Sequence, residues 1–301
     1  MRCLSILIII NIVFNLFGFS IPTIELEIPT IDTLKLQPIG KITKDEINES
    51  SGLVKSRNHE NIFWTHNDSG NKARIFPIHR DGKAFIPDWV DSYTGLYVKN
   101  AVNIDWEDIA VDNYGNIIIG AFGNNYSLRK DLALYFIKEP LPGGVIETRA
   151  YSTIFFKYPE QNKFPDPDLR FDAEALFTRN DEVYLLTKHR KDPYTCLYKF
   201  SEMKPNTINS IELLEKFKIN GMVTAADCSG DGKKLAVLTY TNVWFFEIND
   251  KNSFFNGTVY YVPIKAKQCE AIAIDGDNLI ITNEQRDVFQ LKIDKMHQIR
   301  E

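Results

Sequence analysis

Short apolar runs, each bounded by Asn, Asp or Gly, recur along the chain from residue 49 onward. They are rich in β-branched and aromatic residues, and the clearest are "NIFWTHND", "NIIIGAFGNN", "EVYLLTKHR", "KLAVLTYTN" and "NLIITNEQ". Runs of this length and composition predict β-strands, and few segments carry the period of a helix. The pattern therefore indicates an all-β protein.

The runs belong to a repeat. Each is preceded by a segment with an acidic residue, as in "DWEDIAVD", "DAEALF" and "EAIAID", and is followed by another short strand. In four of five units a further apolar run closes the unit, around "KAFIPDWV", "RAYSTIFFKY", "SIELLEKFKI" and "GTVYYVPIK". The acidic residues stand 43 to 67 positions apart and are Glu49, Glu107, Glu174, Asp227 and Glu270. About four strands in a repeat of roughly 40–60 residues is typical of β-propeller blades.

The last unit ends after three strands, whereas one strand near residues 34–43 precedes the first unit. We expect this early strand to complete the last blade and close the ring. The prediction is a single propeller domain over residues 34–301 with five blades of four antiparallel strands, after an extension over 21–33. Six blades remain the alternative, because the Pro-rich segment 158–170 has room for another strand. A β-sandwich explains the strands but not the recurring acidic residue.

The acidic residues indicate a charged central channel. The first strand of a propeller blade lines the axis, so five carboxylates are expected to converge there. Like charges at close range need protonation, a basic partner or a metal ion. Calcium suits a flexible site made of oxygen ligands, and Glu49, Glu107, Glu174, Asp227 and Glu270 are its predicted ligands. Basic side chains such as Lys188 or Arg129 are the alternative counter-charge.

Polar residues also recur near the end of each second strand. Placed on one face of the ring, they predict a polar ligand-binding surface, although residues of these types also serve turns at strand ends. The predicted ligand-binding residues are His66, Asn67, Asp68, Asn124, Asn125, Arg129, Lys188, His189, Tyr240, Asn283 and Glu284.

The N-terminal stretch "MRCLSILIIINIVFNLFGFS" has one basic residue and then an uninterrupted apolar run. With Gly18 and Ser20 as small residues before a cut, residues 1–20 are interpreted as a signal peptide, and a membrane anchor is the alternative. Export gives a secreted or periplasmic protein without a membrane span after cleavage. Loss of Cys3 would leave Cys196, Cys228 and Cys269, which we interpret as small buried hydrophobic residues.

Composition narrows the partners. The chain has 301 residues, a net charge of −5 and 44% hydrophobic residues, which is ordinary for a globular protein. No polybasic segment is present, so nucleic acid is not expected as a partner. We expect a monomer whose ligand is a small molecule or a protein.

The segments "ESSGL", "WTHNDSG" and "DWED" are distinctive motifs of this chain. They resemble those of a family of secreted bacterial propeller proteins of uncharacterised function, which usually continues with a G-D-N triplet. Here that triplet is Gly123, Asn124 and Asn125, which removes one carboxylate and weakens a metal site at that point. A looser similarity, to five-bladed calcium-dependent nucleotidases (apyrases), implies an axial calcium ion.

Two functions remain open besides a purely structural propeller. The first is a secreted protein that binds calcium in its channel and a ligand on its polar face. The second is a metal-dependent hydrolase of phosphoesters, nucleotides or lactones, in which Asp105, Glu107 or Glu174 activates water. Motifs of serine hydrolases, zincins and P-loop enzymes are missing from the sequence.

Overall fold

The computed structural model describes residues 21–249 and 253–301, so the predicted signal peptide lies outside the described residues. Within these ranges the chain forms β-strands and one 3₁₀ turn, Ile293–Lys295. A search of the same ranges finds no helix with the length and apolarity needed to cross a bilayer. Three short strands come first: β1 (Thr23–Ile24), β2 (Leu34–Lys35) and β3 (Pro38–Lys41).

Five sheets of antiparallel strands follow as the blades of a β-propeller. Blade 1 contains β4 (Gly52–Lys55), β5 (Phe63–His66), β6 (Arg74–Ile78) and β7 (Leu96–Lys99). Blade 2 contains β8 (Ile109–Val111), β9 (Asn116–Ala121), β10 (Ala133–Lys138) and, after the short β11 (Glu147–Arg149), β12 (Ser152–Lys157). Blade 3 contains β13 (Ala173–Arg179), β14 (Glu182–Thr187), β15 (Tyr194–Lys199) and, after the short β16 (Ile208–Ser210), β17 (Glu212–Lys218).

Blades 4 and 5 complete the ring. Blade 4 contains β18 (Val223–Cys228), β19 (Lys234–Thr239), β20 (Asn242–Glu247) and β21 (Thr258–Lys265). Blade 5 contains β22 (Cys269–Asp275), β23 (Asn278–Asn283) and β24 (Asp287–Lys292), and β25 (His297–Arg300) then pairs with β21. The innermost strands β4, β8, β13, β18 and β22 contact one another in cyclic order, which closes the ring around a central axis.

The predicted closure by the N-terminal strand is confirmed. Strand β3 pairs antiparallel with β24 and so becomes the fourth strand of blade 5. Just before it, β2 pairs with β21 of blade 4, so the N-terminal segment crosses from one blade to the next. The first and last parts of the chain are thereby joined in one sheet.

The blades are wider than the sequence indicates. Strands β1, β2, β11 and β16 each add a parallel outer strand to a blade, and they are only two or three residues long. The predicted fourth strand of blade 1 was misplaced: the run around "KAFIPDWV" is largely irregular, and β7 takes that position. Residues 158–170 contain no strand, which removes the support for a sixth blade.

Apolar side chains fill the spaces between neighbouring blades. One core cluster joins blades 3 and 4 around Phe177, Phe217 and Trp244, and another joins blades 1 and 2 around Trp64 and Trp106. This inter-blade packing holds the innermost strands at fixed positions around the axis. Cys196, Cys228 and Cys269 are buried free thiols, in agreement with the sequence interpretation.

Candidate functional site

Three innermost strands carry a β-bulge near their N-terminal ends. In β13, β18 and β22 the pairing with the next strand skips one residue, which is Glu174, Thr224 and Glu270 in turn. In blade 2 the amide of Glu107 and the carbonyl of Asp108 both bond to Gly120, which gives the same arrangement. A bulge changes the direction of the extra residue's side chain and is frequent beside functional sites. It explains why the charged residues recur in otherwise apolar strands.

The three glutamates of this set, Glu107, Glu174 and Glu270, line a cavity on the axis, hereafter the axial cavity. Its volume is about 220 Å³. Six carboxylates and two basic side chains line it, together with polar groups. The lining residues are Glu49, Ser51, Asp68, Glu107, Asn125, Glu174, Lys188, Arg190, Tyr240, Gln268, Glu270 and Glu284. Nine of these twelve were predicted from the sequence as metal or ligand residues.

Two buried ion pairs cross the blade 3 side of the axial cavity. Lys188 Nζ lies 3.0 Å from Glu174 Oε1, and both side chains are about 5% exposed. Arg190 donates to Asp172 Oδ2 at 2.8 Å, and Asp172 is fully buried. Lys188 also donates to the hydroxyl oxygen of Tyr240 at 3.0 Å. Both basic side chains of the cavity wall are therefore already engaged by blade 3 carboxylates.

Where blades 1 and 2 meet, three carboxylates lie together without such partners. One oxygen from each of Asp68, Asp105 and Glu107 lies within 4.8 Å of the others. Among the described residues, no basic side chain forms an ion pair with any of the three. Gly123 makes this proximity possible, since a Cβ there would lie 2.0 Å from Glu107 Oε1 and 2.4 Å from Asp105 Oδ2. The three residues and Gly123 form what we call the carboxylate cluster.

Burial and mutual repulsion raise the pKa values of these carboxyl groups. Burial, with a contribution from Asp68, raises the pKa of Asp105 to about 6. Burial and the charge of Glu174 raise the pKa of Glu107 well above its usual value. Burial raises the pKa of Glu270 to about 7 against the opposing charge of Lys188. The cavity therefore holds more negative charge than its two basic side chains stabilise.

Burial alone would lower the pKa of Lys188, but Glu174 and Tyr240 outweigh it and hold the pKa above its usual value. For Glu174, burial and Asp172 raise the pKa to about 8 although Lys188 opposes them. The lysine therefore remains charged in the pair. Glu174 is the partner whose protonation changes near neutral pH.

Asp108, which directly follows the bulge of blade 2, accepts hydrogen bonds from three blades inside the channel. Its Oδ1 accepts from the amide of Ile109 at 2.8 Å, and its Oδ2 accepts from Leu176 at 2.8 Å and Ala226 at 3.3 Å. The residue is fully buried, and burial raises its pKa despite these amides. It therefore fixes Glu107, its neighbour, relative to blades 3 and 4.

The predicted equivalence of Asp227 with the other acidic residues is wrong. Asp227 lies at the far end of β18 and lines a separate cavity with Lys55 and Arg57. Its Oδ2 accepts from the amide of Ile274 at 2.7 Å. The bulge position of blade 4 belongs to Thr224. Asp227 therefore cannot share a cation with Glu107 or Glu174.

Glu49 lines the axial cavity but is not at a bulge. In blade 1 the amide of Ser51 bonds to the carbonyl of His66, which pairs with Gly52, so Ser51 holds the equivalent place. Glu49 lies two residues earlier, and its amide donates to Asn67 Oδ1 at 3.3 Å. The ring of bulge residues is thus three glutamates, one serine and one threonine.

Six predicted ligand residues lie outside the cavity wall and support the loops around it. The ring of His66 is buried edge-on to Trp106, and burial lowers its pKa to about 4. Asn124 Oδ1 accepts from the amides of Leu128 and Arg129, both at 2.8 Å. The others also bond to nearby backbone or side chains: Asn67, Arg129, His189 and Asn283.

Sequence reasoning missed Asp172, Arg190 and Asp108. A signal for Asp172 was present, because "DWE" and "DAE" both place an Asp two residues before the bulge glutamate. Arg190 directly follows the predicted Lys188 and His189. Asp108 gave no signal, since an acidic residue beside Glu107 predicts nothing about bonds to other blades.

Comparisons of the chain with known proteins give distant structural matches only. No family model and no curated protein sequence matches it. One similar solved structure is that of a nidogen/laminin complex, with 11% identity, a TM-score of 0.43 and coverage of 84% of this chain and 80% of that one. Another is the Myceliophteria thermophila Cps50 (Swd1) β-propeller domain, with 11% identity, a TM-score of 0.40 and coverage of 81% and 83%. The sheet order itself defines the protein as a five-bladed β-propeller.

Proposed function

We propose that the protein is an exported calcium-binding propeller, with the ion held by the carboxylate cluster and a small polar ligand bound beside it in the axial cavity. The observation that carries this proposal is the approach of Asp68, Asp105 and Glu107 within 4.8 Å, without an ion pair from the described residues. A cation there would neutralise a charge that no ion pair of the described residues neutralises.

The donor set fits calcium better than the metals that prefer nitrogen or sulfur. The three ligand atoms are all carboxylate oxygens, and calcium takes six to eight oxygens at variable angles. Additional oxygens would come from water or from the ligand itself. Gly123, which has no Cβ, leaves the space beside Glu107 and Asp105 open.

The other wall of the axial cavity supports ligand binding. Tyr240, Asn125, Gln268 and Glu284 place hydroxyl, amide and carboxylate groups around a space of about 220 Å³. That volume lies below the range of about 300–1,000 Å³ typical of drug-sized ligands. The ligand we propose is therefore small and polar, and it would complete the coordination of the ion.

A metal-dependent hydrolase is the second candidate, and the raised pKa values favour it. Glu174 and Glu270, with pKa values of about 8 and about 7, would serve as general bases near neutral pH. A bound cation would polarise the substrate oxygen. Turnover of nucleotides, phosphate esters or lactones that requires calcium and is lost in Glu174→Gln would establish this activity. Calcium binding without turnover would leave the binding protein.

Calcium should bind with one-to-one stoichiometry, and Asp105→Asn should weaken its affinity at least tenfold because one of three charged ligands is lost. Isothermal titration calorimetry measures both quantities. Gly123→Ala should have a similar effect, since its Cβ would displace Glu107. The control is Asp88→Asn, an exposed aspartate away from the cavity. Equal affinities in all four proteins would contradict the site.

The export part of the proposal rests on the sequence alone. We propose that the protein leaves the cytoplasm and is cleaved near Ser20. Sequencing the N-terminus of the exported protein tests this proposal, and a chain that still begins at Met1 would favour the membrane anchor.

A further inference from the structure

We propose a second binding site in this protein, a groove between blades 4 and 5 that binds a small organic anion with an apolar body. The groove has a volume of about 530 Å³, within the range of sites for drug-sized ligands. It lies where the N-terminal segment crosses from β2 to β3, so both blades and the crossing segment build its wall. We call it the seam groove.

The floor of the seam groove is apolar. Leu36, Ile264 and Phe289 line it and are themselves 8%, 4% and 3% exposed. Leu36 comes from the crossing segment, Ile264 from β21 of blade 4 and Phe289 from β24 of blade 5. A ligand that covers them would be stabilised by the removal of apolar surface from water.

The rim of the seam groove is positively charged. Lys35, Lys265 and Lys267 stand around it, against the single carboxylate of Asp287. Lys267 Nζ lies 3.9 Å from Asp287 Oδ2, a loose pair in which the lysine is exposed. Among the described residues, neither Lys35 nor Lys265 forms an ion pair. An apolar floor inside a ring of lysines selects a ligand that carries an apolar body and a negative group.

The seam groove adjoins the axial cavity through one side chain. Tyr240 lines both spaces, and its hydroxyl oxygen accepts from Lys188 inside the axial cavity. The residues that line the two spaces are otherwise different. The seam groove therefore does not depend on a bound cation, and its proposal stands apart from the calcium site.

The test uses 8-anilinonaphthalene-1-sulfonate, an apolar anion, and the neutral N-phenyl-1-naphthylamine, which lacks the sulfonate. The sulfonate should bind one-to-one by titration calorimetry, and its fluorescence should rise on binding. Lys265→Glu combined with Lys267→Glu should weaken it at least tenfold and leave the neutral compound nearly unaffected. The control is Lys157→Glu, an exposed lysine on blade 2, which should change neither.

Ala266→Trp fills the seam groove and should weaken both compounds at least tenfold. If that variant does not fold, as circular dichroism would show, the two lysine variants still decide the question.

Binding of more than one sulfonate per chain, or equal affinity in the lysine variants, would overturn the proposal. So would a dimer in light scattering that the compound dissociates, because the groove would then hold a second copy. A chelator should leave the affinity unchanged, which separates this site from the calcium site.

Discussion

A chain that begins at residue 42 should lose at least about 5 kcal/mol of folding stability, against a total of about 5–15 kcal/mol for a typical domain. The deletion removes β3 and leaves β24 as an unpaired edge. It also removes Leu36 and uncovers Phe289, which is 3% exposed in the intact protein. Urea unfolding followed by tryptophan fluorescence measures the loss. A midpoint close to that of the intact chain would show that blade 5 needs no closing strand.

A single substitution in the closing strand provides a finer version of this test. A Cβ at Gly40 would lie 2.0 Å from the carbonyl oxygen of Asp81 in blade 1, so the strand would have to move away. Overpacking of this kind costs about 1–3 kcal/mol, and Gly40→Ala should show it. The matched control is Gly230→Ala, whose nearest neighbour would be an arginine side chain at 3.5 Å. Equal stability of the two variants would contradict the tight contact.

The closure was predictable because it follows from counting strands. The last unit has three strands, and one strand precedes the first unit. This early strand can complete the last unit as its fourth strand only if the units form a closed ring. The short outer strands had no comparable signal. Strand β16 pairs with the edge of blade 2 through only three residues. Strand β1 pairs with the edge of blade 3 through only two residues. Tertiary packing, not local pattern, places such strands.

The error at Asp227 has a physical explanation. Asp227 is the first of two acidic residues in the segment "VTAADCSGDG", and the repeat favours an alignment on charge. Charge does not mark the structural position, however; the bulge does, and blade 4 has Thr224 there. Aligning the strands on their hydrogen-bond register moves Asp227 to the other end of the channel. The same reasoning identifies Ser51 in blade 1.

The repeat pattern did not predict the ion pairs of the axial cavity. Arg190 reaches Asp172 across 18 residues of sequence, in a turn whose path the strand pattern does not specify. Lys188 was predicted, and it was named as one alternative counter-charge for the channel. It does pair with Glu174, but this pair leaves the carboxylate cluster uncompensated. The remaining negative charge of the cluster is visible only in the three-dimensional structure.

Without calcium, the protein should lose stability as the pH rises from about 6.5 to about 8. In the unfolded chain Asp and Glu titrate near 4, whereas folding raises the pKa of Glu270 to about 7 and that of Glu174 to about 8. Between these values the folded protein binds more protons than the unfolded chain, so stability falls with increasing pH. Below about pH 6.5 the lowered pKa of His66 acts in the opposite direction. Each such proton contributes a slope on the order of 1.4 kcal/mol per pH unit. Thermal unfolding at stepped pH in the presence of a chelator measures the slope.

Calcium should oppose this loss of stability, because the ion binds the ionised cluster and adds about 2.7 kcal/mol at a hundredfold excess over its dissociation constant. Glu107→Gln should therefore have opposite effects on folding stability with and without calcium. At pH 8 the variant should be more stable than the parent in chelator, since it removes a buried charge, and less stable in calcium, since it removes a ligand. Glu147→Gln, an exposed glutamate paired with Lys99, should change neither condition measurably. Curves that are insensitive to both pH and calcium would mean that Lys188 and Arg190 suffice to stabilise the channel.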